Sequence, residues 1–426
     1  MLMEIIEKIK NLMNKIDYYT CILIKENNKI ISSSNFKTES CENTEIYKVI
    51  FRIFHDGKKY ISTKIGIEDL ENFIINLENS LIYLQNSDYY FVPNSENKNF
   101  FLNYQGTNMD ESQMFSLMDN IHKEIKKNQV LESSTYICNR NYQKYTFDNR
   151  NNYNHEKKSI SYLYIDLNIE DDNNQQENYG TNFFPINDSL NLEKEIKEIS
   201  DVLKKKLNVI SIKNNKYDVI FHKYVNNFLD MILEAIDSKN VYNKNTFLLD
   251  CVGKKVFSEN INIIENPHMN TFSDSYMDDD FITTKKKYLV ENGVLKTFIY
   301  DSEYAYRLKE QSTGNCFGYD VSITNVYMEN GNYTFEELIE NTQNGLLVDT
   351  ILGSGFNFQN GIISVGIKGF FVEDGAIKHP VNGTISGNAK ELLKNVLIAN
   401  DGDLEKKNIR TPSIKVFDMS FSNLNQ

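Results

Sequence analysis

No two histidines of this chain stand closer than the 33 residues between His122 and His155, so no helix can carry a pair of imidazoles for a metal ion. The five cysteines, Cys21, Cys41, Cys138, Cys251 and Cys316, are an odd number without CxxC spacing. They suggest neither a disulfide framework nor a zinc ribbon, and read as reduced, mostly buried thiols. Positive charge is scarce: the formal net charge is −13, and acidic neighbours offset the runs Lys204–Lys206 and Lys285–Lys287. A nucleic-acid partner needs clustered cations, so none is expected. No run approaches the roughly 18 consecutive apolar residues that span a membrane. Residues 1–16 mix Glu and Lys through their apolar positions, unlike the core of a signal peptide, so a cytoplasmic location and no membrane partner are expected.

What is present is a globular composition. The 426 residues are 40% apolar, with 26 Tyr and 26 Phe but no Trp, and exceed one ordinary core, so two or three domains are expected. Leu2, Ile5, Ile6, Ile9, Leu12, Met13 and Ile16 recur at helical spacing. Two hairpins are expected next, at 20–33 around Asn27-Asn28 and at 46–63 around Asp56-Gly57, followed by a helix over 67–84. These make an α+β unit, 1–87. Residues 86–110, with Pro93 and many Asn and Ser, read as a solvated connection. A second α+β unit, 111–210, has helices at 111–127 and 190–207 and strands near 133–138, 143–147 and 159–168, with the polar run 170–178 as an exposed excursion. A third, β-rich unit, 216–426, opens with a strand at 217–221 and a helix at 222–237. Leu289-Val290-Glu291-Asn292-Gly293-Val294-Leu295 and Phe370-Phe371-Val372-Glu373-Asp374-Gly375-Ala376-Ile377 are two hairpins of one design. Thr334 with Glu337 caps a helix running to Asn344-Gly345, and Asn388 with Glu391 starts another. The fold class is therefore α+β: N-terminal helix and strand layers, then a mostly antiparallel β domain under covering helices.

The last third carries an ordered set of anchors. They are Leu289–Leu295, Tyr300-Asp301, Ala305, Ser312-Thr313-Gly314-Asn315, Glu336–Ile339, Gly345–Val348, Leu352–Gly355, Gly361, Gly366, Gly369-Phe370, Glu373–Gly375, Pro380-Val381, Gly387-Asn388, Asn400-Asp401 and Thr411–Ser413. In order and spacing this resembles the TldD/PmbA peptidase family, in its TldE/PmbA branch. The first 210 residues carry few distinctive motifs of that family. Two departures mark a divergent member: Phe281 follows Asp278-Asp279-Asp280 where relatives usually place Gly, and Ile46 to Thr63 replaces a glycine-rich strand pair.

The resemblance implies that active partners carry HExxxH on a helix, with a Cys ligand in the strand before the second hairpin. Here those places read His222 to Leu229 and Val365-Gly366-Ile367, without the ligands. Only His155 is followed by Glu, and Ile160 stands five residues on. No catalytic and no metal residue is therefore assigned to this chain. Zinc is expected in a TldD-type partner chain, and the resemblance implies a heterodimer that cleaves unfolded peptides; a self-paired, peptide-binding homodimer is the alternative. Ser312, Thr313 and Asn315 around Gly314 read as a turn bonding local amides rather than a nucleophile. Gly353-Ser354-Gly355 reads as a tight turn or close backbone approach, since no P-loop context surrounds it. Asp301, Ser312, Thr313, Asn315, Gly353, Ser354 and Gly355 are the candidates for lining a peptide path. Asp274 and Asp278–Asp280 lack the register of a calcium loop and read as a solvated acidic loop.

Overall fold

The computed structural model describes residues 2–83, 86–89, 91, 98–128, 130–170, 176–186, 191–225, 227–402 and 408–423. Pro93, Leu84, Leu190, Asn226 and positions 171–175 of the polar run lie outside the described residues. The strands of the first half are β1 (Tyr18–Ser34), β2 (Lys37–His55), β3 (Lys58–Ile65), β4 (Asn99–Gln105), β5 (Glu132–Asp148), β6 (Tyr153–Glu170) and β7 (Gln176–Pro185). Its helices are α1 (Leu2–Leu12), α2 (Leu70–Ser80), α3 (Glu111–Lys127) and α4 (Leu192–Lys206). All seven strands form one sheet, ordered β3-β2-β1-β5-β6-β4 with β7 also on β6. The strands expected in units 1–87 and 111–210 are thus neighbours in a single layer, because β1 pairs with β5 along Thr20–Ser34.

Several local expectations yield to this pairing. Asn27-Asn28 does not turn: Asn27 sits opposite Glu45 on one side and Asn141 on the other, and two ladders hold it extended against its turn preference. The chain reverses instead at Asn35 and Phe36, both at positive φ (46° and 65°). Residues 133–147 likewise run as one strand. The supposed solvated connection contains β4, which pairs in parallel with β6 and buries Leu102. At least Gln176–Asn178 of the polar run belong to β7. Asp56-Gly57 turns as expected.

Helices cover one face of the sheet in two pads. α1 turns Ile6 and Ile9 inward, and α2 turns Ile74 and Leu77, onto Cys21, Leu23, Val49 and Phe51. α3 opens on a capping box of Asp110 and Gln113 and places Met114, Met118, Ile121 and Ile125 on Ile31, Ile137 and Leu163. Burial of each such side chain stabilises by about 1.5–3 kcal/mol.

In the second half the strands are β8 (Asn215–Phe221), β9 (Ile263–Glu265), β10 (Lys287–Glu291), β11 (Val294–Leu295), β12 (Cys316–Phe317), β13 (Asp320–Val321) and β14 (Val326–Met328). They continue as β15 (Asn344–Leu352), β16 (Ile362–Glu373), β17 (Ala376–Asn388), β18 (Val396–Ile398), β19 (Ile409–Arg410) and β20 (Ile414–Asn423). The helices are α5 (Asn227–Ala235), α6 (Ser238–Tyr242), α7 (Ser302–Leu308), α8 (Phe335–Glu340) and α9 (Ala389–Leu392). One sheet runs β17-β16-β15-β8-β20-β18, and β17 also pairs β20, which closes a barrel. A second runs β11-β10-β9-β14-β19. The two similar hairpins turn at Asn292-Gly293 and Asp374-Gly375, all four residues at positive φ (49°, 74°, 50° and 72°), but lie in different sheets. At Gly293 a Cβ would also stand 2.3 Å from the Phe257 carbonyl oxygen, so the position excludes larger residues twice over. α8 has its expected capping box but ends at Glu340, before β15 begins at Asn344. Among the described residues no helix is long and apolar enough to cross a membrane.

Candidate functional site

The helix-free face of the N-terminal sheet is turned to the second half, and strand alternation determines what it presents. Thr20, Arg52, Ile22, Ile50, Thr146, Asn154, Lys144 and Glu156 fall on it in adjacent columns. Against it packs the segment between β9 and β10. The acidic residues of that segment are buried, not solvated: Asp278 and Asp280 are 0% exposed, Asp279 1% and Asp274 5%. This corrects the solvated-loop expectation, and the sheet supplies the reason. Asp280 pairs with the buried Arg52 guanidinium and accepts from the Ser302 amide at 3.1 Å. Asp279 takes Lys144 at 3.0 Å, the Thr146 hydroxyl at 2.8 Å and the Gly318 amide at 2.7 Å. Asp278 accepts from the amides of Asp280, Ile282 and Cys316. Glu156 lies 2.8 Å from Lys158 and accepts from the Ser275 hydroxyl, while Lys158 donates to the Asp274 carbonyl.

These contacts set protonation. Burial alone would raise Glu156, but Lys144 and Lys158 outweigh it and hold the carboxyl at about 2. Burial would lower Lys144, but Asp279 and Glu156 keep it above the ordinary lysine value. Asp278 is pushed up by burial and then by Asp280 beside it. The backbone at Phe281 has φ 59°, the left-handed region, so the position where the family resemblance leads to an expected Gly takes a conformation that favours Gly. The Phe281 ring is buried, which offsets the local strain of roughly 1–2 kcal/mol.

The sequence-selected residues divide into two groups. Asp301 is the N-cap of α7, accepting from the Tyr304 amide at 2.7 Å, and burial, with lesser help from Asp280 and Glu303, raises it to about 7. Next to it the Thr313 hydroxyl oxygen accepts from the Tyr300 amide at 2.8 Å, and the Ser312 hydroxyl donates to the Tyr300 carbonyl. Asn315 is wholly buried; its amide donates to both Glu265 carboxylate oxygens at 2.9 and 3.1 Å and to the Ser322 carbonyl. Glu265 in turn holds Lys287 at 2.6 Å. Asp301, Thr313 and Asn315 therefore direct their polar atoms into protein, and the Ser302 amide ties this group to Asp280. Gly353-Ser354-Gly355 stands apart after β15, with Gly353 and Ser354 exposed and Gly355 half-buried. A Cβ at Gly355 would lie 2.1 Å from the Ser364 carbonyl oxygen, the close approach expected of it. The hydrogen bonds of the two groups run to different elements.

Sequence reading missed Arg52, Lys144, Glu156, Lys158 and Glu265. A signal for Arg52 existed: it interrupts the apolar run Val49-Ile50-Phe51-Arg52-Ile53-Phe54, where a lone guanidinium needs a buried partner.

The two places where ligands would hold zinc do not fit that ion. His222 is not at a helix start; it directly follows β8, half-buried between the Tyr224 and Phe335 rings, and burial lowers it to about 4. α5 begins at Asn227 and gives Phe228, Leu229, Met231 and Ile232 to the core. Val365 and Ile367 of β16 point into the same core, so carbon stands where donors are required. Among the described residues no three His, Cys, Asp or Glu side chains gather as a metal site.

Residues 214–423 match the PmbA/TldA metallopeptidase C-terminal domain. The metalloprotease PmbA homologue of Buchnera aphidicola from Acyrthosiphon pisum is 34% identical over 215 residues, 50% of this chain and 47% of its own. Metalloprotease PmbA of Escherichia coli O157:H7 is 30% identical over 193 residues, 45% and 42% of the two chains. The chain thus spans about half the length of the curated relatives it matches. The fold extends further than the sequence likeness. A putative modulator of a DNA gyrase from Thermotoga maritima superposes with TM-score 0.85 at 21% identity, covering 99% of this chain and 100% of the other. TldE from Thermococcus kodakarensis gives 0.84 at 19%, covering 98% and 100%.

Proposed function

Since the chain belongs to the PmbA/TldD family through residues 214–423, we propose that it is a TldE/PmbA-like, non-catalytic subunit of a metallopeptidase complex whose zinc sits in a TldD-type partner. The observation that carries this is chemical. The barrel and α5 are retained, but α5 and β16 fill the two ligand positions with Phe228, Leu229, Val365 and Ile367, which bind neither a metal ion nor a metal-activated water.

The chain's part in the reaction is then to shape the chamber and present the peptide. An unfolded peptide is taken up through main-chain hydrogen bonds, which ask nothing of its sequence. The Gly353-Ser354-Gly355 stretch, exposed at Gly353 and Ser354, lines the path directly. Asp301, Ser312, Thr313 and Asn315 act apart from it, as the hydrogen-bonded wall that fixes α7 and the β9–β10 segment against the N-terminal sheet. Asn315 is not a peptide contact in this arrangement, because Glu265 and Ser322 already occupy its amide hydrogens.

The test is co-purification of the intact chain with an HExxxH-bearing family member encoded in the same genome. A stable complex, with zinc in the partner and none retained by this chain alone, is the expected result. A chain that stays apart from every such partner would sink the subunit reading.

A further inference from the structure

Between its two helical pads the N-terminal sheet leaves part of one face bare. Along β1, Leu23 belongs to the core under α1 and α2, and Ile31 to the core under α3 and α4. The three same-face residues between them, Lys25, Asn27 and Lys29, belong to neither. The ladders are regular here, since the irregularity of the β1–β2 pairing lies further along, at Ser32 and Ser33. Asn27 therefore stands opposite Glu45 on one side and Asn141 on the other, and Lys29 stands opposite Asn43. A cleft of about 350 Å³ opens over Asn27, Lys29, Asn43, Glu45 and Asn141, and Asn28 and Thr44 complete its lining.

Among the described residues no apolar side chain lines this cleft. Its charges are already matched: Lys25 lies 2.7 Å from Glu45, and Glu111 lies 2.9 Å from Lys29. What remains are carboxamides. Asn43 and Asn141 are exposed. The Asn27 side-chain oxygen is closed off from solvent and receives no hydrogen bond among the described residues, which costs stability unless something bound there donates to it. Asparagine is also poorly suited to a strand interior. Asn27 nevertheless sits mid-strand with a ladder on each side, and a residue that breaks a local rule in this way is expected at a functional site.

We propose that this cleft binds a neutral saccharide. Each carboxamide offers a donor and an acceptor side by side, which two adjacent ring hydroxyls complement, and Glu45 adds a further acceptor. The volume lies at the small end of the roughly 300–1,000 Å³ of small-molecule sites. Those sites are mostly apolar, so a hydroxylated ligand suits this lining where an apolar one does not. A charged ligand would have to compete with the partner that each ion already has. An extended peptide finds no strand to join on the floor, because the β1 backbone is paired on both sides.

Saturation-transfer NMR on the intact chain tests this with glucose, galactose, mannose, N-acetylglucosamine and maltose, and with glucuronic acid as the charged comparison. The expected result is binding of at least one neutral sugar with a Kd on the order of 1 mM, unchanged between low and high salt. Asn27→Thr and Asn141→Ala should each weaken it roughly tenfold, the worth of one hydrogen bond. Because threonine suits a strand better than asparagine, Asn27→Thr should also raise the urea midpoint, the opposite of what loss of a structural residue does. No binding of any of the neutral sugars would overturn the proposal. So would binding that both variants keep, or a preference for glucuronic acid that salt abolishes. The assay needs no partner chain and no peptide, so it fails independently of the co-purification that tests the subunit reading.

Discussion

The two halves of the chain are held together differently inside than across. Within each half the layers are packed mainly through apolar cores, with a few buried ion pairs such as Glu156–Lys158 and Glu265–Lys287: α1 to α4 lie on aliphatic rows of the N-terminal sheet, and α5 with the barrel strands forms one continuous core. Between the halves lie a small apolar patch, Ile22 and Ile50 against Cys316 and Tyr319, and several ion pairs. Arg52 meets Asp280, Lys144 meets Asp279, Lys206 meets Asp349, and Lys368 meets Glu177. Apolar layers tolerate exchange of one hydrophobe for another, whereas a buried ion pair fixes both its members and their separation. Replacing both partners by well-packed hydrophobes can be neutral, so these pairs specify how the halves meet more than how stable they are.

That contrast can be broken most severely at a single charge. Asp280→Ala leaves Arg52 buried without its carboxylate and should cost about 3–5 kcal/mol in urea unfolding, against less than about 1.5 kcal/mol for Leu23→Met inside the first layer. Equal costs would erase the distinction. Next, Phe281→Gly removes a buried ring while relieving its positive φ, and the larger transfer loss should leave a net destabilisation of about 2 kcal/mol.

The pH profile separates two acids on opposite sides of the junction. Glu156, held at about 2 against an ordinary 4.5, contributes stability that is fully present above about pH 4.5 and is lost as pH falls toward 2. Asp301, raised from 3.8 to about 7, acts the other way: the unfolded chain ionises first, so stability falls as pH rises from about 4 to about 7. Asp301→Asn keeps the cap of α7 and should flatten the upper slope in denaturant titrations at successive pH values, leaving the acid limb unchanged. An upper slope that survives the substitution would assign it elsewhere. The smallest expected effect is Asp110→Ala, which removes one arm of the α3 capping box and should cost about 1 kcal/mol.

Legibility follows the same division. The turns at Asp56-Gly57, Asn292-Gly293 and Asp374-Gly375 and the box at Thr334 were readable, because each is a local bargain between a residue type and its own backbone. Asn27-Asn28 was misread because pairing on both sides of β1 is a non-local fact that overrides a turn preference. The acidic segment was misread for a related reason. Asp280 and Asp279 are buried against Arg52 and Lys144, which are far away in sequence and come opposite only through strand register, while Asp278 is held by three backbone amides. The family anchors cluster in the barrel half, where glycines and tight turns restrict what can replace them. The N-terminal half has few such fixed points, yet the superpositions with solved structures, at 21% and 19% identity over the aligned chain, cover 99% and 98% of this chain and so include it.

The most direct test of the subunit reading is cleavage of an unfolded peptide by this chain alone, by an HExxxH partner alone, and by the two mixed. The account predicts turnover that requires the partner, is strongest in the mixture, and is abolished there by a chelator. Chelator-sensitive cleavage by this chain alone would contradict it.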